Sequence, residues 1–116
     1  MKVERYAIYW VSLDPTTGSE MHKTCPAVVI SDNGMNNTLK TVVVCPLTSS
    51  IHPSWRSRIQ IQSGKRKSEI VVDQIRTISR QRLGTKIGTL SADEALKTRM
   101  VITEMYGTGA GSFQMS

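Results

Sequence analysis

Two histidines are the side chains of this 116-residue sequence that could most simply exchange protons near neutral pH. His22 and His52 would then form a general acid–base pair. Both stand in polar sequence that is typical of loops, where a solvated histidine is the commoner outcome. We therefore favour the interpretation that neither histidine takes part in catalysis.

The two cysteines offer a second kind of chemistry. Cys25 and Cys45 each precede a proline at the edge of an apolar run. Their spacing does not match a metal-binding cluster, and no group of carboxylates and histidines has ligand spacing either. The sequence predicts reduced thiols, as in cytosolic proteins, and a site that uses no metal or other cofactor.

Positive charge is concentrated in one part of the chain. From His52 to Lys86 there are nine Lys and Arg residues and two acidic residues, a net charge of +7, so the whole-chain charge of +6 leaves −1 for the remainder. A localised basic field is typical of proteins that bind polyanions, and we interpret the segment as binding nucleic acid. The triplet 65–67 by itself is more often a solvated turn.

Most of the sequence has the pattern of β-strands. The first candidate strand is rich in aromatic and β-branched residues and stops at the turn pattern of residues 14–18. Two Val-rich runs are typical of strands buried on both faces, and a loop is expected between them over residues 32–37. A later run alternates polar and apolar residues, which predicts one wet face. Strands are predicted over residues 6–13, 26–31, 41–47, 58–62 and 69–75.

A helix is predicted to follow the strands. Ser91 and Glu94 have the spacing of a capping box, and acidic residues in the first turn suit the helix dipole. Arg99 and Thr103 interrupt the apolar face, so we expect imperfect packing or a partial role at an interface. The predicted face consists of Ala92, Ala95, Leu96, Met100, Ile102 and Tyr106.

Together these elements predict a mainly β fold with one C-terminal helix, in which a small antiparallel sheet curls or closes into a barrel. Residues 1–106 form the single predicted domain, and the Gly-rich residues 107–116 form a flexible tail. No apolar run is long enough to span a bilayer, and the first residues have no apolar signal region. We expect a cytoplasmic protein without a membrane partner.

Four phrases of the sequence closely resemble the MazF/PemK (Kid-like) family of type II toxins, in order and in spacing. The resemblance covers residues 5–106 and implies an SH3-like antiparallel β-barrel of the CcdB/PemK-like kind, a homodimer, and metal-independent cleavage of single-stranded mRNA. It also implies a cognate antitoxin whose tail occupies the RNA groove. The phrases are 13–20, 26–31, 46–50 and 73–78, the last followed by Arg82-Leu83.

The same resemblance implies which residues act on RNA. Attack by the RNA's own 2′-hydroxyl needs no metal, but it needs a base, an acid and groups that stabilise the phosphorane. Asp73 and Arg76 have a simpler alternative, an ion pair at the end of a strand. The implied catalytic positions are Thr48, Glu20, Asp73 and Cys25, and the implied RNA-binding residues are Ser19, Ser49, Gln74 and Arg76.

Cys25 departs from the family pattern, in which an arginine that is expected to touch the reacting phosphate usually precedes this proline. A thiol offers one weak donor and no fixed charge, whereas a guanidinium offers a rigid fork. Loss of such a donor typically slows a reaction by about a hundred- to a thousandfold. Lys23, Arg56 and Arg76 are the candidate substitutes. The chain is either a natural variant with weak RNA cleavage or a form in which Cys25 is an inactivating substitution.

Two other functions remain open on the sequence. The first is a variant that binds RNA without cutting it, which Cys25 favours. The second is a CcdB-like toxin that binds gyrase. The basic segment and the phrases around Thr48 and Gln74 argue against the second, because gyrase binding needs an apolar docking end and no phosphate site.

Overall fold

The fold is a curled antiparallel sheet, a half-barrel, with one long helix packed against it. The computed structural model describes residues 2–14, 23–63 and 65–107. These residues form the strands β1 (Ala7–Asp14), β2 (Lys23–Val29), β3 (Thr41–Thr48), β4 (Arg58–Ser63), β5 (Arg66–Val71), β6 (Arg76–Ser79) and β7 (Leu83–Thr89), with the helices α1 (Asn33–Asn36) and α2 (Ala92–Tyr106).

The strands are ordered β4-β5-β3-β2-β1-β7, and β6 also pairs with β3. Every described pairing is antiparallel. β3 connects the two parts of the sheet, because its first half pairs with β6 and its last two residues pair with β5. The predicted mainly β fold with a C-terminal helix is confirmed.

The Val-rich strands β2 and β3 are buried on both faces, as predicted. Successive side chains of a strand point to opposite faces, so each of these strands contributes to two apolar clusters. One cluster contains Val28 and Cys45, and the other contains Val29 and Val44. The alternation in β4 is also confirmed, since Ile59 and Ile61 are buried in the first cluster.

The predicted strand over residues 69–75 is only partly correct. β5 begins earlier, at Arg66, and ends at Val71, where a 3₁₀ helix (Val72–Gln74) turns the chain into β6. The expected loop over residues 32–37 contains the short helix α1, because the Asp32 carboxylate caps the backbone N–H groups of Gly34 and Met35. β6 and β7 were not predicted.

α2 begins where the sequence indicated. The Ser91 hydroxyl accepts from the Glu94 N–H at 3.1 Å, and the Glu94 carboxylate accepts from the Ser91 N–H at 2.9 Å, which completes the capping box. The predicted apolar face is correct at Ala95 and Ile102, but it is wrong at Leu96 and Met100, which are exposed. The side chains that pack on the sheet are Ala95, Thr98, Val101, Ile102 and Met105.

The remaining predictions about organisation concern the tail and the membrane. Residues 108–116 of the predicted tail lie outside the described residues. Within the described part of the chain, no helix is long and apolar enough to cross a bilayer.

Candidate active site

A cleft of about 320 Å³ opens near the start of β2 and the ends of β3 and β5. It brings together two of the predicted catalytic positions, Cys25 and Thr48, with the predicted RNA-binding residue Gln74. The full lining consists of Cys25, Pro46, Leu47, Thr48, Ser50, His52, Trp55, Arg58, Val71 and Gln74.

Strand register explains why these residues meet. Thr48 pairs with Glu69, and Glu69 pairs with Gln60, so the three residues form a row across β3, β5 and β4. Directly opposed residues share a face of the sheet, with Cβ atoms about 5 Å apart. The pairing of β2 with β3 reaches Ala27 and Pro46, which are two residues from Cys25 and Thr48 respectively, and both Cys25 and Thr48 line the cleft.

Glu69 is a fully buried carboxylate beneath this cleft. Its Oε1 accepts from the backbone N–H of His52 at 2.6 Å and from Nε2 of Gln60 at 2.7 Å, while its Oε2 accepts from Nη1 of Arg58 at 2.7 Å. Burial alone would raise the pKa of Glu69, but these hydrogen bonds together lower it below its ordinary value. The side chain is therefore ionised at neutral pH.

Among the described residues that line the cleft, Arg58 is the one Lys or Arg side chain. Besides Glu69 it binds Asp73, with Nε donating to Oδ1 at 2.8 Å, and its guanidinium lies 4.5 Å from the centre of the Trp55 ring. The bond to Asp73 is the main reason that the pKa of Arg58 is raised. Because two carboxylates surround one guanidinium, the three side chains of Glu69, Asp73 and Arg58 together carry a net charge of −1.

The loop of residues 49–57 covers the buried carboxylate. Its two rings stack, with the centroids of His52 and Trp55 3.9 Å apart and an angle of 17° between their planes. Nδ1 of His52 lies 3.4 Å from Glu69 Oε2 and 3.3 Å from Arg58 Nη1. The imidazole is thus held on three sides, while about a third of the side chain stays exposed.

Thr48 and Ser49 have different positions at the end of β3. The Thr48 Oγ1 accepts from the Ser50 N–H at 3.1 Å, so its own O–H remains available to donate to a ligand in the cleft. Ser49 is exposed and is not among the residues that line the cleft, whereas its neighbour Ser50 is. The structure thus brings Thr48 to the cleft and leaves Ser49 beside it.

The three residues of the Asp73 phrase also diverge. Asp73 accepts from the Ser57 hydroxyl at 2.7 Å. Its ion pair is with Arg58, and not with Arg76 as the sequence alternative had it. The bond from Arg58 is the main reason that the pKa of Asp73 is lowered. Gln74 lines the cleft. Arg76 is exposed at the start of β6.

Cys25 is half-buried at the wall of the cleft. Burial raises the pKa of its thiol, and the positive charge of Arg76 opposes part of that rise. A thiol with a raised pKa is neutral at pH 7, so position 25 contributes no charge of either sign. Of the candidate substitutes for the family arginine, Arg56 is paired with Glu104 on α2.

The catalytic candidate Glu20, the RNA-binding candidate Ser19 and His22 lie outside the described residues. So do residues 15–18 of the predicted turn and the side chain of the candidate substitute Lys23. Within the described part of the chain, no group of three or more His, Cys, Asp or Glu side chains could hold a metal ion.

The residues that sequence reasoning missed are Arg58, Glu69 and Trp55. Arg58 and Glu69 were counted only as charges of the basic segment, and Trp55 was not singled out. One pattern could have located the carboxylate: Glu69 directly precedes the apolar run of residues 70–72, so it adjoins buried strand sequence. An acid at such a position requires partners, and the bases at 56 and 58 were the nearest candidates along the basic segment.

Comparison with known proteins identifies relatives along nearly the whole chain. The family model of the PemK-like, MazF-like toxins of type II toxin–antitoxin systems matches residues 4–106. Endoribonuclease EndoA of Bacillus subtilis (strain 168) is 31% identical over 115 residues, covering 90% of this chain and 99% of EndoA. Endoribonuclease MazF9 of Mycobacterium tuberculosis is 32% identical over 113 residues, covering 84% and 96%.

Solved structures show the same fold. A chain of the MazE–MazF complex (Form-II) from Deinococcus radiodurans superposes with a TM-score of 0.78 at 18% identity, covering 93% of this chain and 98% of that one. An endoribonuclease in complex with its cognate antitoxin, from a mycobacterial species, gives 0.75 at 19% identity, covering 90% and 94%.

Proposed function

The chain belongs to the PemK-like, MazF-like toxins of type II toxin–antitoxin systems, and on that premise we propose that it is an endoribonuclease that cleaves single-stranded mRNA. The observation that carries the proposal is the cleft that Cys25, Thr48 and Gln74 line together, with the buried Glu69 paired across the strands with Thr48. The cleft places the Thr48 hydroxyl and the Gln74 amide around a space open to a phosphate.

The reaction is transesterification without a metal. The 2′-oxygen of the RNA bonds to the adjacent phosphorus, the bond from phosphorus to the 5′-oxygen breaks, and the products are a 2′,3′-cyclic phosphate and a 5′-hydroxyl end. Thr48 donates a hydrogen bond from its hydroxyl to a phosphoryl oxygen as negative charge builds there. Gln74 binds a base edge with its amide, and the exposed ring of Trp55 can stack on an unpaired base.

The remaining candidate residues have supporting roles. Asp73 acts by holding Arg58, because its carboxylate is taken up by that guanidinium and by Ser57. Arg76 supplies positive charge near Cys25. Glu20 and Ser19 remain candidates through the family resemblance alone.

Cleavage by this chain is weak. A neutral thiol stands where the family resemblance implies a guanidinium, and Arg58, the one guanidinium among the described residues that line the cleft, is paired with both Glu69 and Asp73. The phosphorane therefore receives hydrogen bonds but little positive charge, which costs about two to three orders of magnitude in rate.

The partners follow from the family. A cognate antitoxin would occupy the RNA groove, and two copies of the chain would form a homodimer in the cytoplasm. The exposed apolar side chains Leu96 and Met100 on α2 are surface that such contacts would cover.

The experiment is cleavage of a single-stranded RNA library by the purified chain, in EDTA, with the ends of the products determined. Cyclic phosphate and 5′-hydroxyl ends, made by the chain and lost in Thr48→Ala, are the expected result. Cleavage that requires added metal, or that persists unchanged in Thr48→Ala, would overturn the proposed site.

A second candidate function is RNA binding without cleavage, favoured by the absence of a free cation among the described residues that line the cleft. In that case RNA would be retained by the chain and by Thr48→Ala alike, and no products would form.

A further inference from the structure

His52 is positioned as a catalytic side chain would be, although its local sequence gave no reason to expect it. The ring stacks on Trp55, and its backbone N–H is bonded to Glu69 at 2.6 Å. Nδ1 faces Glu69 and Arg58, at 3.4 and 3.3 Å. Orientation of one ring nitrogen by a buried carboxylate fixes the direction of the other.

The other nitrogen, Nε2, has no hydrogen-bond partner within the described part of the chain. The ring lines the cleft that contains the Thr48 hydroxyl, and Glu69, which holds the ring, is the cross-strand partner of Thr48. A phosphate bound by Thr48 would therefore lie on the side of the cleft to which the imidazole is tied.

The charged groups that face the His52 ring come from two strands. They are Glu69 from β5 and Arg58 from β4, with Asp73 behind Arg58. One guanidinium and two carboxylates leave a net charge of −1, which repels a phosphate. In the acid form of the ring, Nδ1–H faces Glu69 and Nε2–H is directed away from the carboxylate, so the ring adds a donor and a positive charge beside the phosphate.

We propose that His52 is the general acid of this site and gives the Nε2 proton to the departing 5′-oxygen. The inference rests on the proposed RNA cleavage and adds a residue to it. The 2′-hydroxyl proton passes to water, the bond between the 2′-oxygen and phosphorus forms, and the bond to the 5′-oxygen breaks as that oxygen takes the proton from His52. Imidazolium becomes imidazole, and Glu69 is the positioning residue that orients it.

The test compares two RNA substrates in single-turnover reactions. One is ordinary RNA, and the other carries sulfur in place of the 5′-bridging oxygen at the cleavage site. A thiolate leaves without protonation, so it needs no acid. We expect His52→Gln to slow cleavage of the ordinary RNA by about 10²- to 10⁴-fold and to change cleavage of the sulfur RNA by less than about threefold.

Each outcome decides the proposal. Equal slowing of both substrates would show that His52 supports the fold or RNA binding and is not the acid. No slowing of either would exclude it from the reaction. If the unsubstituted chain cleaves neither RNA, the proposed function itself fails, and the role of His52 fails with it.

The matched control is His22→Gln, which removes the other histidine of the chain. It is expected to leave the ratio of the two cleavage rates unchanged. If His22→Gln produced the same discrimination between the two RNAs, His52 would not be the sole acid. Thermal unfolding of both variants, each expected to match the parent chain within a few degrees, keeps a loss of fold from imitating a loss of catalysis.

Discussion

Nη1 of Arg58 donates to Oε2 of Glu69 at 2.7 Å, and the two side chains are 8% and 0% exposed. Such a pair contributes to stability only while both members are present, because desolvation of each charge has to be offset by the other. Glu69 also receives the backbone N–H of His52. One ion pair therefore anchors the hairpin of β4 and β5 and the loop that covers the cleft.

Replacing this carboxylate should be costly. In Glu69→Gln, an amide group would face the guanidinium, leaving Arg58 with Asp73 as its remaining charged partner, and we expect a loss of about 3 kcal/mol in the free energy of unfolding. Urea denaturation monitored by Trp fluorescence measures it. The control is Glu104→Gln, which removes the exposed pair with Arg56 and should cost less than about 1 kcal/mol. Equal costs would contradict a special role for the buried pair.

The same pair makes stability depend on pH in the acidic range. The pKa values of Glu69 and Asp73 are lowered in the folded state. Their contribution is complete above the unfolded pKa of a carboxyl, about 4, and is lost as pH falls through the lower folded values. Between pH 6 and pH 3, the parent chain should therefore lose more stability than Glu69→Gln. Parallel pH profiles would refute this assignment.

The local parts of the fold were predictable because their causes are local. The Val-rich sequences of β2 and β3 have no polar alternation, which is what burial on both faces requires, and Ser91 and Glu94 lie one helical turn apart. β7 was missed because its residues are mostly exposed and it is held by pairing with β1, which leaves no apolar pattern in its sequence.

The core of the site depends on distant contacts, whereas the buried face of α2 was mispredicted for a local reason. Thr98 can occupy a buried position because its hydroxyl donates to the Glu94 carbonyl at 2.7 Å. A polar residue therefore lies on the buried face of α2, where the apolar pattern predicted larger apolar side chains. The grouping of Thr48 with Glu69 and Gln60 depends on the register of three strands. Composition locates the charges of the site, but register decides which of them meet.

The capping box offers a direct test of the best-predicted element. Ser91→Ala removes the acceptor for the Glu94 N–H and should lower the free energy of unfolding by about 1 kcal/mol. Ser91→Gly should cost only a few tenths. Chemical denaturation of both variants measures the difference. If the alanine variant were as stable as the parent, the cap would be shown to add nothing to the packing of α2.

RNA binding should depend on salt and on one exposed arginine in particular. Arg76 lies near Cys25, whereas Lys65 and Lys67 lie at the far end of the hairpin, next to the turn. Arg76→Gln should therefore weaken binding of a single-stranded RNA more than Lys65→Gln or Lys67→Gln, and reduce the slope of log affinity against log salt by about 0.7. Fluorescence anisotropy at several salt concentrations gives both quantities. Equal effects at the three positions would indicate a diffuse basic field without a defined site.

The last prediction concerns the missing cation at position 25. Cys25→Arg introduces the residue that the family resemblance implies at this position, in the cleft that Thr48 also lines. Because the thiol is at the wall of an open cleft, the guanidinium can reach solvent and phosphate, and the fold should be retained. We expect the rate of RNA cleavage to rise by about 10²- to 10³-fold, measured as single-turnover rates in EDTA.

Thr48 provides the internal control for that gain. If the introduced guanidinium and the Thr48 hydroxyl serve the same transition state, adding Thr48→Ala to Cys25→Arg should remove most of the increase, because residues that act together are not additive. Thermal unfolding would confirm that the double variant is folded. A rate in Cys25→Arg no higher than in the parent would show that a missing charge at position 25 does not limit cleavage, and full activity in the double variant would place the reacting phosphate away from Thr48.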